Sequence, residues 1–163
     1  MPNFSDHIEQ AKHNLTFLEF VNQKGLKFLD WQVTTAFYIG VHLVNSHLST
    51  HNMQYRKHVD VKNAINPRQQ KSVASGSALP QNEYLAYTKL QSLSRRSRYL
   101  VNEKDDNLGT KQAFKTYDIH FARALRHLNT LILFFKNTYQ IQFDPIDITC
   151  AEIKQGEISF FAK

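Results

Sequence analysis

Residues 30–58 constrain the fold more than any other stretch, because they predict one helix, fading into a polar segment around Thr50 and Asn52, with two different uncharged faces. At about 100° per residue, one face collects small and apolar side chains that are typical of a core: Val33, Ala36, Phe37, Gly40, Val44 and Leu48. The opposite face collects Trp31, Tyr38, His42, Asn45 and Ser49. No Lys, Arg, Asp or Glu lies between Trp31 and His51, whereas a solvated helix face normally carries charge. The sequence therefore predicts a central helix whose second face is also covered, by another helix, a second subunit or a ligand.

Helical periodicity recurs along the chain, which has only 5 glycines and 4 prolines among its 163 residues. This pattern favours helices over strands and turns, so we predict an all-α fold, an up-and-down bundle of four to five helices. Ser5 is the expected N-cap of the first helix, Gly25 its expected end, and Asp30 the expected cap of the second. The predicted helices span residues 5–23, 30–50, 59–65, 81–101 and 114–139.

The last predicted helix is followed by a different kind of sequence. Its apolar residues recur at intervals of three and four: Phe114, Tyr117, Phe121, Leu125, Leu128, Ile132, Phe135 and Tyr139. After Pro145 the chain is β-branched and partly alternating, which predicts a short extended C-terminal tail or a small hairpin. Residues 67–82 are small and polar without periodicity, so we expect a mobile loop there. The predicted organisation is a helical bundle over residues 1–144 and a tail over residues 145–163.

Composition limits the compartment and the chemistry. Cys150 is the only cysteine, so the chain cannot form an internal disulfide, as is expected in a reducing compartment. The first residues lack the layout of a signal peptide, and no run of about 18 apolar residues occurs, which predicts a cytoplasmic protein without a membrane segment. Motifs of phosphate-binding loops, dinucleotide-binding folds and α/β-hydrolases are also absent from the sequence, so we expect no cofactor.

The 8 histidines of the chain raise the question of a metal site. His47 and His51 have the i,i+4 spacing that places two imidazoles on one helical face, and His58 follows them. A zinc-protease motif needs a glutamate directly after its first histidine, and Leu48 stands at that position. Structural or surface histidines are therefore the favoured interpretation, and we predict no metal. A second polar stripe on the last predicted helix is expected to be a solvated face: His120, Arg123 and His127.

A basic cluster near the end of the fourth predicted helix provides candidate phosphate contacts. It contains Arg95, Arg96 and Arg98, in a chain whose net charge is +6. Guanidinium groups bind phosphate as a fork, and a basic surface attracts polyanions through counterion release. Arginines in the last turn of a helix can equally bind its terminal carbonyl groups, so both interpretations stay open. Three further basic residues could extend the cluster: Arg56, Lys57 and Lys62.

Three pieces of the chain, taken in order, resemble the HEPN superfamily of small helical proteins. They are the pattern D-W-x-V-x-x-A-F-Y-x-x-x-H in the two-faced helix, a basic segment that ends in histidine, and a closing L-S-R-x-x-R-Y. The resemblance covers about residues 5–140 and leaves out the tail. The matching residues are Asp30, Trp31, Ala36, Phe37, Tyr38, His42 and Asn45, then Arg56, Lys57 and His58, then Leu93, Ser94, Arg95, Arg98 and Tyr99.

The resemblance implies a bundle of four or five helices, commonly a homodimer, and two roles. Catalytic members cleave RNA without a metal, in toxin and phage-defence systems, and use an arginine followed after four to six residues by a histidine. Other members bind nucleotide or nucleic acid beside a nucleotidyltransferase. In this chain three residues separate Arg123 from His127, and no arginine has a histidine at the catalytic spacing. The implied partners are a second copy of the chain, RNA, DNA or a nucleotide, and a nucleotidyltransferase or an antitoxin.

We therefore predict a non-catalytic HEPN-like binding module that contacts nucleic acid or nucleotide through a polar cleft near a dimer interface. One alternative is a divergent metal-independent endoribonuclease, in which His42 or His58 acts beside Arg95 or Arg98. The other is a structural protein-interaction domain. The residues predicted to form the binding cleft are Tyr38, His42, Asn45, His58, Arg95, Arg98 and Tyr99.

Overall fold

A computed structural model of the chain describes residues 2–24, 28–99 and 116–161. Within these ranges it contains no strand, so the predicted all-α class is confirmed. None of the described helices is both long enough and apolar enough to cross a membrane. The helices are α1 (Phe4–Gln23), α2 (Leu29–Thr50), α3 (His58–Ala64), α4 (Gln70–Ala74), α5 (Gln81–Tyr99) and α6 (Asp118–Tyr139).

Helix α2 is the centre of the fold and packs against α1, α5 and α6. Gly40 is buried at the point where three of these helices meet. A Cβ atom at Gly40 would lie 3.2 Å from Cδ1 of Leu131 on α6 and 3.3 Å from Cδ1 of Leu90 on α5. The absence of a side chain therefore allows this close approach. The rest of the predicted core face is fully buried, as expected: Val33, Ala36, Phe37, Val44 and Leu48.

The second face of α2 is only partly covered by the described residues. His42 and Asn45 are half-buried, and His42 faces His7 on α1. Trp31 is 58% exposed and Tyr38 is 37% exposed. Helix α1 thus covers one edge of this face, and the aromatic side chains of Trp31 and Tyr38 remain accessible to solvent among the described residues.

Helix α6 carries the apolar pattern expected of a long core helix. Its side chains at Phe121, Leu125 and Phe135 have no exposed surface. The helix begins at Asp118; Phe114, the first residue of the predicted stripe, lies outside the described residues. Tyr117 precedes the helix as its N-cap and is 53% exposed, so it does not belong to the core stripe.

The observed caps of α1 and α2 differ from the predicted ones. Asn3, and not Ser5, is the N-cap of α1, because its side chain accepts a hydrogen bond from the Asp6 backbone and the Asp6 carboxylate accepts one from the Asn3 backbone. This reciprocal pair satisfies two backbone donors that the helix itself cannot. Asp30 lies inside the first turn of α2 and not at its cap, where it still complements the helix dipole. Gly25 lies outside the described residues.

The segment predicted to be a mobile loop, residues 67–82, is instead folded against α3. It contains the short helix α4 and two buried anchors, Ser77 and Leu79. The Ser77 hydroxyl donates to the backbone oxygen of Ala64 at 2.7 Å, and the Leu79 backbone N–H donates to the backbone oxygen of Ile65 at 3.0 Å. A small polar sequence can therefore be ordered when its backbone and hydroxyl groups find buried partners.

The described part of the C-terminal tail, residues 140–161, is irregular and forms no hairpin. Asn22 on α1 holds it through both amide atoms, which bond to the backbone N–H and carbonyl of Thr149 at 2.7 and 2.9 Å. Glu157 pairs with Arg126 on α6, and the guanidinium lowers the pKa of this carboxyl to about 2. The tail completes the core with a series of buried side chains: Ile141, Phe143, Ile146, Ile148, Cys150, Ile153, Ile158, Phe160 and Phe161.

Candidate functional site

Arg98, in the last turn of α5, reaches across to α2 and lies between two tyrosine rings. Its Cζ atom is 5.8 Å from the ring centre of Tyr38 and 5.1 Å from that of Tyr99. Its Nη1 donates to the Tyr38 hydroxyl at 3.5 Å, a long hydrogen bond, and its Nε donates to the backbone oxygen of Ser94 at 3.4 Å. Tyr99 is 62% exposed, so solvent reaches this group of residues. The structure therefore brings together three of the predicted site residues.

His58, the first residue of α3, joins the same group. Its ring centre is 5.2 Å from that of Phe37, directly beside Tyr38 in the chain. Burial lowers the pKa of His58, and the positive charge of Arg98 lowers it further. Phe37 also links His58 to Tyr38, because its ring centre lies 5.7 Å from that of Tyr38, whose ring faces Arg98. We call Tyr38, His58, Arg98 and Tyr99 the arginine–tyrosine cluster.

His42 and Asn45 lie one and two turns further along α2, next to α1. The Nδ1 atom of His42 is 3.3 Å from Nδ1 of His7. Burial lowers the pKa of both imidazoles, and the charge of His7 lowers that of His42 further. Asn45 lines an adjacent cleft of about 520 Å³, which we call the His7 cleft. Its other lining residues are Pro2, His7, Gln54, Tyr55 and Arg56.

Arg95 has a different position from Arg98. It is exposed on α5, whereas Arg98 is half-buried against Tyr38. The predicted residues thus divide into the arginine–tyrosine cluster, the His42–Asn45 edge of the His7 cleft, and the exposed Arg95. Helix α2 connects the first two, because Tyr38, His42 and Asn45 follow one another on its outer face.

Sequence reasoning missed His7, Gln54 and Tyr55 as site residues. His7 sits on the polar face of α1, where the sequence pattern is the same as for a solvated histidine. Gln54 and Tyr55 lie in the connection between α2 and α3, which has no periodicity. The basic segment that includes Arg56 was the only local signal of this cleft.

His47, one of the two histidines at the i,i+4 spacing, is buried and engaged inside the protein. His47 is 7% exposed, and both of its ring nitrogens have partners, Nδ1 with the Tyr139 hydroxyl at 2.5 Å and Nε2 with the backbone oxygen of Ser77 at 3.0 Å. His47 therefore joins α2, α6 and the segment after α4. No group of three or more histidine, cysteine or acidic side chains that could hold a metal occurs in the described ranges.

His120 and Cys150 also have structural settings. His120, expected on a solvated stripe, is 9% exposed, and its Nδ1 accepts a hydrogen bond from the Tyr117 backbone at 3.0 Å. Arg123 on the same stripe is exposed, as expected. Cys150 is buried, and burial raises the pKa of its thiol, which disfavours the reactive thiolate.

The chain matches no protein-family model, no curated protein and no solved structure. The HEPN resemblance consequently stays a prediction that three short sequence pieces support. An all-α fold agrees with that family but does not specify it, because one architecture serves many functions. The function has to follow from the chemistry of the surface on α2.

Proposed function

We propose that this chain is a non-catalytic HEPN-like module that binds nucleic acid or nucleotide through the outer face of α2. The observation that carries the proposal is the arginine–tyrosine cluster, in which Arg98 lies between the rings of Tyr38 and Tyr99. This combination offers a cation for phosphate and aromatic faces on which bases can stack.

The guanidinium of Arg98 is available for such a ligand. Among the described residues, Arg98 forms no ion pair with a carboxylate, and its hydrogen bonds to Tyr38 and Ser94 are long, at 3.5 and 3.4 Å. A phosphate oxygen could replace these weak bonds with short charge-assisted ones. The net charge of +6 would support the approach of a polyanion.

The proposed surface continues along α2 into the His7 cleft. Arg56 provides a second cation there, and Tyr55, which is 37% exposed, provides a third exposed phenol ring. A chain with several phosphates could therefore contact Arg98 and Arg56 together, which favours nucleic acid over a single small anion for the surface as a whole.

A homodimer is part of the proposal. The end of α2 that carries Trp31 exposes 58% of this side chain on a face without charge, and such faces commonly pair across a two-fold axis. A second copy of the chain over Trp31 would place two α2 surfaces side by side. The binding surface would then extend over both subunits.

The experiment is a binding assay with fluorescently labelled single-stranded RNA and duplex DNA at low and high salt. Arg98→Ala should weaken binding by about 1–3 kcal/mol, which is roughly 5- to 150-fold, because it removes a charge-assisted pair. Arg68→Ala is the matched control, since Arg68 is exposed and belongs neither to the cluster nor to the lining of the His7 cleft. Wild-type affinity should fall as salt rises.

The same variant separates a binding site from a structural role. Arg98 also bonds the backbone of Ser94, so its loss could lower the melting temperature alone. A destabilised Arg98→Ala protein with unchanged affinity per folded molecule would overturn the proposal. RNA cleavage without metal in the wild type, lost on His42→Ala, would instead favour the endoribonuclease alternative.

A further inference from the structure

The His7 cleft is lined by hydrogen-bond donors from three parts of the chain and, among the residues that the structure describes, by no acidic side chain. His7 comes from α1, Asn45 from α2, and Tyr55 and Arg56 from the connection that follows α2. Gln54 donates a hydrogen bond to the backbone oxygen of Pro2, which fixes the N-terminal segment as one wall. A cleft with this lining is suited to an anion.

The His7–His42 pair at the side of this cleft has the geometry of a shared proton. The two Nδ1 atoms are 3.3 Å apart and the ring centres 5.6 Å apart, so the separation of the ring centres is about equal to the nitrogen contact plus one ring radius at each end. The two nitrogens therefore point at each other. Two imidazole nitrogens can only meet in this way if one of them carries a proton.

The charge of this pair depends on its surroundings. Burial lowers the pKa of both rings, so the pair is neutral near pH 7 without a ligand. The negative charge of Asp6 raises the pKa of His7. The Asp6 carboxylate itself accepts a hydrogen bond from the Asn3 backbone at 2.7 Å. The remaining charged or titratable groups that line the cleft are Tyr55 and Arg56. A bound anion would add a negative charge where the described lining supplies none, and would favour the protonated pair.

We propose that the His7 cleft binds a phosphate or sulfate group, held by the guanidinium of Arg56 and by the His7–His42 pair after the pair has taken up one proton. Binding and protonation are then coupled, so acid strengthens binding and the ligand raises the proton affinity of the pair. The cleft lies beside the arginine–tyrosine cluster but does not need Arg98. This site can therefore exist whether or not Arg98 contacts nucleic acid.

Sulfate is the first probe, because it remains a dianion throughout the relevant pH range. Its binding is followed through the histidine ring signals in nuclear magnetic resonance spectra, against chloride at the same ionic strength. Between about pH 7.5 and pH 5.5 the affinity of the wild type should rise about 10- to 100-fold, the range expected for the uptake of up to one proton. Equal affinity at both pH values, or an equal effect of chloride, would overturn the proposal.

Three variants identify the groups involved. Arg56→Gln should weaken sulfate binding about tenfold or more, whereas Arg68→Gln, with the same loss of charge at an exposed position elsewhere, should leave it unchanged. His42→Gln should remove most of the pH dependence. If His42→Gln does not fold, Arg56→Gln still decides, because Arg56 is exposed and its replacement leaves the core intact. Unchanged binding in Arg56→Gln would refute the site.

The source of the phosphate is decided by competition. Displacement of sulfate by an oligonucleotide with a terminal phosphate, but not by its hydroxyl-terminated counterpart, would assign the cleft to the end of a nucleic acid chain. Displacement by inorganic phosphate alone would assign it to the free ion. Arg98→Ala should leave sulfate binding unchanged, so failure of this proposal and failure of the proposed function give different results.

Discussion

Tyr139→Phe removes a single hydroxyl and tests whether the His47 contact stabilises the fold. The Tyr139 hydroxyl lies 2.5 Å from Nδ1 of His47, and Nε2 of His47 lies 3.0 Å from the backbone oxygen of Ser77. A carbonyl oxygen can only accept, so Nε2 carries the proton and Nδ1 accepts from Tyr139. The substitution leaves this buried nitrogen without a donor. The expected loss in the free energy of unfolding is about 1–3 kcal/mol.

The same chemical change at Tyr87 provides a matched control with a different expected result. Tyr87 has no exposed surface, and its hydroxyl has no hydrogen-bond partner among the described residues. Burial also raises the pKa of Tyr87 well above its usual value. A buried hydroxyl without a partner costs roughly 1–3 kcal/mol, so Tyr87→Phe should leave stability unchanged or raise it by about 1 kcal/mol.

Urea denaturation followed by circular dichroism measures both variants against the wild type. They should differ by at least about 1 kcal/mol, or by roughly 2–4 °C in melting temperature for a chain of this length. Nitrogen-15 spectra of His47 should show the proton on Nε2. Equal destabilisation by the two substitutions would refute the reasoning. The loss in stability would then come from removal of any tyrosine hydroxyl, whether or not that hydroxyl has a hydrogen-bond partner.

Two further predictions concern pH and assembly. Six histidines have a lowered pKa in the folded chain, so at pH values below about 6.5 the unfolded chain binds more protons than the folded chain. The free energy of unfolding should therefore fall as the pH falls through this value. Chemical denaturation at three pH values measures this free energy, and a protein that is more stable in acid would contradict the prediction. These histidines are His7, His42, His47, His58, His120 and His127. Trp31 is the only tryptophan of the chain, so its fluorescence reports directly on the proposed dimer interface. If the dimer covers Trp31, the fluorescence emission should shift to the blue over the concentration range in which sedimentation shows that the dimer forms. Trp31→Glu should give a monomer. A strict monomer at high micromolar concentration, or a dimer with unchanged emission, would remove Trp31 from the interface.

Local periodicity was sufficient to predict the long helices and the faces that they bury, but not the short helix α4. The core face of α2 and the apolar stripe of α6 follow from side chains that recur with the helical period, because each turn of a helix presents the same side to the core. Helix ends were less well predicted. Asn3 and Ser5 are both good caps, and only the backbone geometry decides which one begins α1.

Only the tertiary structure decided which polar residues meet. The contact between His7 and His42 joins residues 35 positions apart, that between Arg98 and Tyr38 joins residues 60 positions apart, and that between His47 and Tyr139 joins residues 92 positions apart. Periodicity shows the face on which each residue lies, but not which other helix covers that face. His47 therefore had the same sequence signal as a surface or metal-binding histidine, and packing of α2 against α6 gave it a structural role.

The segment before α5 and the C-terminal tail show the same limit. Ser77 and Leu79 lie in a polar sequence that predicted a loop, and they are buried where the end of α3 offers backbone carbonyl acceptors to them, at Ala64 and Ile65. The tail residue Thr149 is held by Asn22, which is 127 positions away. The sequence by itself determined where the long helices lie and which of their faces are apolar, since these depend on neighbours within a few turns. The pairing of polar groups across the fold depends on how the helices pack together, and that information is not contained in any local pattern.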